Sequence, residues 1–449
     1  MGSMPIGRLL RKMSMPLIIS MFVQVLYGLV DSLFVAQLGD NALTAISLCM
    51  PIQYLVVGVG TGIGVGVNSV LSKKLGEKDN DSVNRTAGNG LLLLWAAIII
   101  FAVLGFTVMK PFYEVQTDIP EILDMCISYS TVLCVFSFAA LHQIMSERLL
   151  SAIGRADLTM IPMLTGAIVN IILDPIMIFG WLGLPAMGIT GAGIATVIAQ
   201  AVAALTGLFL NIRFNHGVHL SKNAFKPNLS VIGEIIKIGV PVALSNCLIS
   251  VIALGMNNIL LGLSALAPGI YVIYIRLQSF VIMPSGGMSS AGISIIAYNY
   301  GAKEKKRIMD TLWKSLRVNT IISVIGVVIF LAFPRQLLAM FNASEDMMSI
   351  GIPALRFIAA ALMLTTTTQI LSGFLQALGQ GTASFIVSVS QAVFLLLSAW
   401  LLAQTGSVTL VWLAFPLMEI LRFVIAAILV TRAYKGKISQ LQPGIIVYQ

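Results

Sequence analysis

Charged residues are scarce in this chain. Asp, Glu, Lys and Arg make up 10% of its 449 residues, whereas a soluble globular domain contains about 25%. Hydrophobic residues account for 58%, and the mean hydropathy is +0.95. Such a chain has too few polar side chains to cover a water-facing surface, so the composition predicts a protein whose surroundings are mostly lipid.

Cysteine and histidine are also scarce, with four and three residues. The cysteines all lie in apolar stretches and show neither a disulfide framework nor the spacing of metal ligands. The histidines lie in or beside hydrophilic loops. No phosphate-binding sequence follows the alternating glycines of residues 58–66. These absences argue against a membrane-embedded enzyme and against ATP-driven transport, and we predict no cofactor and no metal site.

Long apolar runs take up the rest of the chain. Twelve of them are long enough to cross a bilayer as helices, at residues 15–38, 42–72, 86–110, 120–146, 158–182, 188–213, 232–262, 267–298, 307–333, 350–372, 382–404 and 407–432. The predicted fold is therefore an all-α membrane protein of twelve transmembrane helices. Prolines inside several runs, Pro175 among them, predict bends.

Lys and Arg are distributed unevenly between the loops. Of the 27, 22 fall in the termini and the even-numbered loops, against Lys110 and Arg335 on the other side. Basic residues mark the cytoplasmic side, so both termini are predicted to be cytoplasmic. The net charge of +9 is spread over these loops rather than gathered in one patch, and we predict no nucleic-acid partner.

The two halves of the chain resemble each other at one offset. Residues 16–20 match 241–245, residues 72–76 match 297–301, and residues 150–154 match 375–379, each 225 residues apart. An offset of six spans keeps the orientation, so the repeat predicts two six-helix lobes related by a pseudo-twofold axis along the membrane normal. We predict an N-lobe at 1–213, a cytoplasmic linker at 214–231, and a C-lobe with a terminal tail at 232–449.

Acidic residues inside spans are costly and usually functional. Asp31 and Asp174 both lie about 22–24 Å from the cytoplasmic side at 1.5 Å per residue, in spans one and five. Asn170 lies one turn before Asp174, on the same helix face. Pro175 disfavours helical geometry at Asp174, which would free carbonyl oxygens. Two carboxylates, an amide and such carbonyls suit a proton or a hard monovalent cation.

Three stretches resemble the multidrug and toxic compound extrusion (MATE) family: residues 147–157 (ERLLSAIGRAD), 170–180 (NIILDPIMIFG) and 188–196 (GITGAGIAT). The loops at 75–79 and 298–303 resemble its duplicated signature. The acid in span one and the Asn-x-x-x-Asp of span five are similar to the DinF-like and MepA-like branch. The resemblance implies efflux of amphiphilic small molecules by antiport with Na⁺ or H⁺ and alternating access between the lobes. The predicted ion site is Asp31, Asn170, Asp174 and Thr196.

Other polar residues in the spans are candidates for a substrate cavity: Gln24, Gln53, Asn257, Arg276, Gln278 and Gln369. An arginine in such a cavity would disfavour simple cationic substrates. A lipid-linked precursor flippase of the same superfamily is an alternative, although those proteins usually carry more spans and a strongly cationic cavity. We further expect a monomer in a bacterial inner membrane. Glu419 and Arg422, three residues apart in span twelve, are predicted to pair.

Overall fold

A computed structural model describes residues 1–264, 266–341 and 344–441, so part of the predicted C-terminal tail, 442–449, lies outside the described residues. The described chain is helical and contains no β-strand. The first eight helices are α1 (Ile6–Ala36), α2 (Asp40–Glu77), α3 (Asn80–Thr107), α4 (Met109–Glu114), α5 (Pro120–Val135), α6 (Phe138–Ala152), α7 (Met160–Phe179) and α8 (Gly188–Phe214). The others are α9 (Leu229–Leu261), α10 (Ala267–Gly301), α11 (Lys305–Ala332), α12 (Pro334–Ala339), α13 (Glu345–Ala377), α14 (Gly381–Ala403), α15 (Val408–Val411) and α16 (Ala414–Ala433).

Eleven helices of the described chain are long and apolar enough to cross a membrane, and α5 and α6 make a twelfth span if they are counted together. The predicted twelve-helix membrane fold is confirmed. Two bounds differ from the sequence interpretation. The first span begins at Ile6 rather than at 15, because the helix continues through the basic residues before the apolar run. The fourth span is bent by 45° between Val135 and Phe138, where the sequence has no proline.

The described chain packs as two compact units, residues 19–246 and residues 1–18 together with those from 247 onward. In the unit of residues 19–246, α7 packs along α8, and α6 packs on both α2 and α8. The alternating glycines of α2 allow it to lie close to α6 and to α9. A Cβ at Gly62 would collide with the carbonyl of Gly239 in α9, and one at Gly64 would lie 2.8 Å from Cγ of Arg148 in α6. Small residues therefore bring α2 close to both neighbours.

In the other unit, α10, α11, α13 and α16 enclose an apolar core that includes stacked aromatic rings. The centroids of the Tyr274 and Phe415 rings are 5.2 Å apart, and the Trp412 and Phe415 rings stack at 6.1 Å. The first residues of the chain belong to this unit. The guanidinium of Arg307 donates to the carbonyl oxygens of Met1 and Met4 at 2.6 and 2.8 Å.

Candidate functional site: a buried acid-amide cluster

Helix α7 places Asn170 and Asp174 on one face, one turn apart, and both side chains are fully buried. The amide of Asn170 donates to Oδ1 of Asp174 at 3.1 Å. The four-residue spacing in the sequence predicted this arrangement, because residues i and i+4 lie one above the other on a helix. The amide nitrogen thereby holds one carboxylate oxygen and leaves the other free.

Helix α8 brings Thr196 to the same place. Its hydroxyl oxygen lies 3.5 Å from Nδ2 of Asn170, and its side chain is 1% exposed. The close packing of α7 and α8 depends on Gly191, where a Cβ would collide with the carbonyl of Met177. Residues 26 positions apart in the sequence thus meet in the interior of one unit.

Asp31 of α1 is the fourth predicted residue. Its side chain is half-buried, and its carboxylate is close enough to Asp174 for the two charges to interact. The residues that the sequence grouped by depth in the membrane therefore belong to one unit, where the charges of Asp31 and Asp174 interact and Asn170 joins Asp174 to Thr196.

Three oxygen atoms of this cluster lack a hydrogen-bond donor among the described residues. They are Oδ1 of Asp31, Oδ1 of Asn170 and Oδ2 of Asp174, all closed to solvent. An ionised carboxylate and an amide oxygen only accept hydrogen bonds, and an unsatisfied buried acceptor costs about 1–3 kcal/mol, more when it is charged. A proton on a carboxyl group or a cation among the oxygens would remove this cost.

The expected disturbance of the helix at Pro175 is not found, because α7 continues through it to Phe179. Asp174 is therefore helical. Proline still has no N–H to donate, so the carbonyl of Ile171, four residues earlier, has no helical donor.

The predicted cavity residues are divided between the two units. Gln24 and Gln53 belong to residues 19–246, and the other four belong to the second unit. Gln24 and Arg276 are exposed, while Gln53, Asn257, Gln278 and Gln369 are half-buried. The side-chain oxygens of Asn257 and Gln369 are closed to solvent and have no donor among the described residues.

A second buried charge lies in α16, where the predicted pair of Glu419 and Arg422 is observed. Nη1 of Arg422 donates to Oε1 of Glu419 at 3.0 Å, and the side chains are 10% and 2% exposed for Arg422 and Glu419 respectively. Because the partners lie three residues apart on one helix, this charge is neutralised locally.

Sequence reasoning passed over Glu147 and Arg148 as charges, although both lie in a span. They are half-buried in α6, and Gln143 donates to Oε1 of Glu147 at 3.2 Å. It also passed over Tyr113 and Ser130, whose hydroxyls are 2.6 Å apart. The four-residue spacing of Gln143 and Glu147 could have predicted the hydrogen bond to Glu147. No spacing connects the second pair, which packing alone brings together.

A model of the MatE family matches the chain twice, at residues 16–176 and 241–401. The two matches begin 225 residues apart, which is the offset of the internal repeat. Together they cover well over half of the sequence.

Curated relatives include the multidrug export protein MepA of Staphylococcus saprophyticus, which is 26% identical over 387 residues, 85% of this chain and 84% of that protein. MepA of Staphylococcus aureus is 26% identical over 395 residues, 87% of this chain and 86% of that protein. Both likenesses run over most of each chain.

Solved structures show the same fold. A MATE protein in complex with MaL6 has a TM-score of 0.89 at 23% identity, covering 96% of this chain and 98% of that one. A MOP superfamily transporter from Pyrococcus furiosus, described as having a binding pocket of reverse polarity, has a TM-score of 0.87 at 23% identity, covering 96% and 97%.

Proposed function

Because the chain belongs to the MatE family of multidrug and toxic compound extrusion transporters, we propose that it exports amphiphilic small molecules by antiport with Na⁺ or H⁺. The protein is a multi-pass membrane transporter and not an enzyme. The substrate class follows from the relatives named as multidrug export proteins. We place the coupling ion at Asp31, Asn170, Asp174 and Thr196.

The observation that supports this ion site is the set of three buried oxygens without a donor. Glu419 also has one buried oxygen without a donor, but its charge is balanced by Arg422 at 3.0 Å. By contrast, the described residues offer Asp174 one neutral amide, at one of its two oxygens. Oxygen atoms from carboxylate, amide and hydroxyl groups are ligands for a hard cation, and the same carboxylates accept a proton.

Because the two acids lie on different helices, ion binding can change the conformation of the protein. Asp31 lies on α1 and Asp174 on α7. With the site empty, the two carboxylates repel each other, whereas a shared cation or a proton removes the repulsion and favours their approach. An ion shifts a conformational equilibrium by its difference in affinity for the two states. The ion-bound and ion-free cluster would in this way favour different access states of the substrate site.

Orientation and organisation form part of the same proposal. We propose that both termini face the cytoplasm of a bacterial cell, that the protein lies in the inner membrane, and that it acts as a monomer. The N-lobe comprises 1–213, the linker 214–231 and the C-lobe 232–449. The residues proposed to bind substrate are Gln24, Gln53, Asn257, Arg276, Gln278 and Gln369.

Transport in proteoliposomes tests the ion site. A Na⁺ gradient and a pH gradient are imposed separately, and movement of fluorescent amphiphiles that are cationic, zwitterionic or anionic is recorded for each. We expect one gradient to drive wild-type transport, and Asp31→Asn and Asp174→Asn to reduce it at least tenfold, since each change removes a charge that the ion requires. Asp346→Asn, at an exposed carboxylate in the first turn of α13, is the matched control.

Equal transport by wild type and both site variants would refute the ion site while leaving the transporter assignment intact. A second measurement distinguishes the two ions. If Na⁺ displaces a proton from the cluster, adding NaCl to weakly buffered protein releases protons, and Asp174→Asn protein releases none.

A further inference from the structure

A cavity of about 440 Å³ lies outside the ion site, between the first turns of α3 and the segment that joins α8 to α9. All of its lining residues belong to the unit of residues 19–246. Its polar lining includes Asn84, Arg85, Ser221, Asn223, Lys226 and Asn228.

The walls of this cavity are held in place by Asn89, which is fully buried in α3. Its amide nitrogen donates to the carbonyl oxygens of Ala224 at 3.3 Å and Lys226 at 3.2 Å, and its amide oxygen accepts from the N–H of Asn228 at 2.8 Å. Gly88 allows the close approach, because a Cβ there would collide with the Ala224 carbonyl. The joining segment is therefore fixed to α3 by backbone contacts.

Two cations line the cavity without a close salt bridge among the described residues, although the charge of Arg85 interacts with that of Asp79. Neither Arg85 nor Lys226 has a carboxylate within 4.0 Å in the part of the chain that the structure describes. Asp81 also lines the cavity, and nearby Asp79 is engaged at the helix start, where it accepts from the N–H of Ser82 at 3.1 Å. The guanidinium, the ammonium, the amides and the Ser221 hydroxyl are all donors that a phosphate oxygen accepts from.

The length of α3 bears on the depth of the cavity in the bilayer. Helix α3 has 28 residues and is about 42 Å long, whereas the hydrocarbon core of a bilayer is roughly 30 Å thick. With the cytoplasmic orientation proposed above, this excess of about 12 Å leaves room for the first turns of α3 to lie among the headgroups. The joining segment and the start of α9 expose three large apolar side chains beside the cavity, Leu220, Phe225 and Leu229, the last 84% exposed. Apolar side chains that flank a basic site are typical of contact with acyl chains.

We propose that this cavity binds the phosphate headgroup of an anionic phospholipid, with Arg85 and Lys226 contacting the phosphate and the flanking apolar residues contacting the acyl chains. The proposal uses the cytoplasmic orientation proposed above and does not depend on the ion site. At the repeat offset, Arg85 corresponds to Asp310, so the site exists in one half of the chain.

Native mass spectrometry of the detergent-purified protein tests the proposal. Phosphatidylglycerol and phosphatidylcholine are added in separate titrations to wild type and to Arg85→Gln/Lys226→Gln. We expect wild type to prefer phosphatidylglycerol, and the variant to lose about fivefold in its affinity for each cation removed. Binding of phosphatidylcholine is expected to stay the same.

The control variant is Lys306→Gln/Arg432→Gln, which removes the same charge at two exposed cytoplasmic positions of the other unit. Phosphatidylglycerol affinity that falls equally in both variants, or in neither, would overturn the proposal. Millimolar inorganic phosphate provides the second arm. Failure of phosphate to displace the lipid supports a lipid site, and full displacement by phosphate would show a free-anion site and overturn the lipid assignment. The unfolding temperature of each variant establishes that it is folded.

Discussion

The two halves of the chain place different chemistry at matching positions. At the offset of 225 residues, Asp31 corresponds to Met256, Asn170 to Leu395 and Asp174 to Ala399. All three counterparts are buried in the apolar core of the second unit. Conversely, Glu419 and Arg422 of the second half correspond to Ile194 and Val197.

This comparison distinguishes what the duplicated fold requires from what the proposed ion site requires. Most of these positions are buried in both halves, with Asp31 and Ile194 half-buried, so burial belongs largely to the duplicated fold. At the first set of positions the acids have no cationic partner among the described residues, whereas at the second the acid is paired with an arginine. A mobile ion can neutralise the unpaired acids, whereas the paired acid is already neutralised by its arginine.

Exchanging one counterpart tests the comparison most strongly. Asp174→Ala gives the first half the residue of the second, and we expect gradient-driven efflux to fall more than tenfold because the site loses a ligand. Ala399→Asp makes the reverse exchange, and we expect it to lower the unfolding temperature, since it buries a charge in an apolar cluster, and to add no ion dependence. Efflux assays and thermal unfolding in detergent measure both, and ion-dependent efflux gained by Ala399→Asp would contradict the proposed division.

The Glu419–Arg422 pair offers the next largest effect. Glu419→Gln leaves a buried guanidinium without its anion, which we expect to cost about 3–5 kcal/mol in the free energy of unfolding. The double change Glu419→Ile/Arg422→Val copies the first half and is expected to be nearly neutral, because it removes both charges. Chemical unfolding of the purified protein compares the two, and equal losses would show that the pair has a further role.

Matching glycines in the two halves allow a test of whether the halves share the same close helix packing. Gly62 and Gly287 are counterparts, and a Cβ at Gly287 would lie 2.8 Å from the backbone nitrogen of Ile18. We expect Gly62→Ala and Gly287→Ala each to cost about 1–3 kcal/mol through overpacking. Gly233→Ala, where no atom lies within 4 Å of the new Cβ, is the control and should stabilise by up to about 1 kcal/mol. A large loss at only one of the two counterparts would show that this packing is not shared.

The smallest expected effect concerns helix starts. Asp79 caps α3, whereas its counterpart Glu304 precedes α11 without a side-chain cap. Hydrogen bonds from Ser82 lower the pKa of the Asp79 carboxyl. We expect Asp79→Ala to cost about 1 kcal/mol and Glu304→Ala to have little effect.

The pH dependence of this cap has a definite sign. A carboxyl whose pKa is lowered by folding stabilises the protein above its unfolded pKa, about 3.9, and this contribution is lost as the pH falls through the folded value. The difference in unfolding temperature between wild type and Asp79→Ala should be full at neutral pH and should vanish in acid. A difference that stays constant with pH would contradict the role of the carboxylate.

Much of the fold follows from the sequence, because apolar runs of span length and a repeat at one offset are direct consequences of a membrane-embedded duplication. The spacing of Asn170 and Asp174 likewise predicts their contact. The bend between Val135 and Phe138 has no such signal, and the continuous helix at Pro175 overrides a local preference. Asn89 is fully buried and holds a segment some 135 residues away in sequence, a long-range contact that no periodicity reveals.

The position of Glu419 and Arg422 on one helix also bears on how the chain enters the bilayer during synthesis. Their span is inserted with both charges already opposed. Asp31 and Asp174 lie on different helices, near the ends Ala36 and Phe179, so neither acid has its partner beside it when its own span is inserted. A lone aspartate adds about 2.5–3.5 kcal/mol to the cost of insertion at the centre of a span, which is an upper bound for these two positions. The first and fifth spans must therefore rely on their apolar residues, or on protonation of the acid, to insert before the site that joins them has formed.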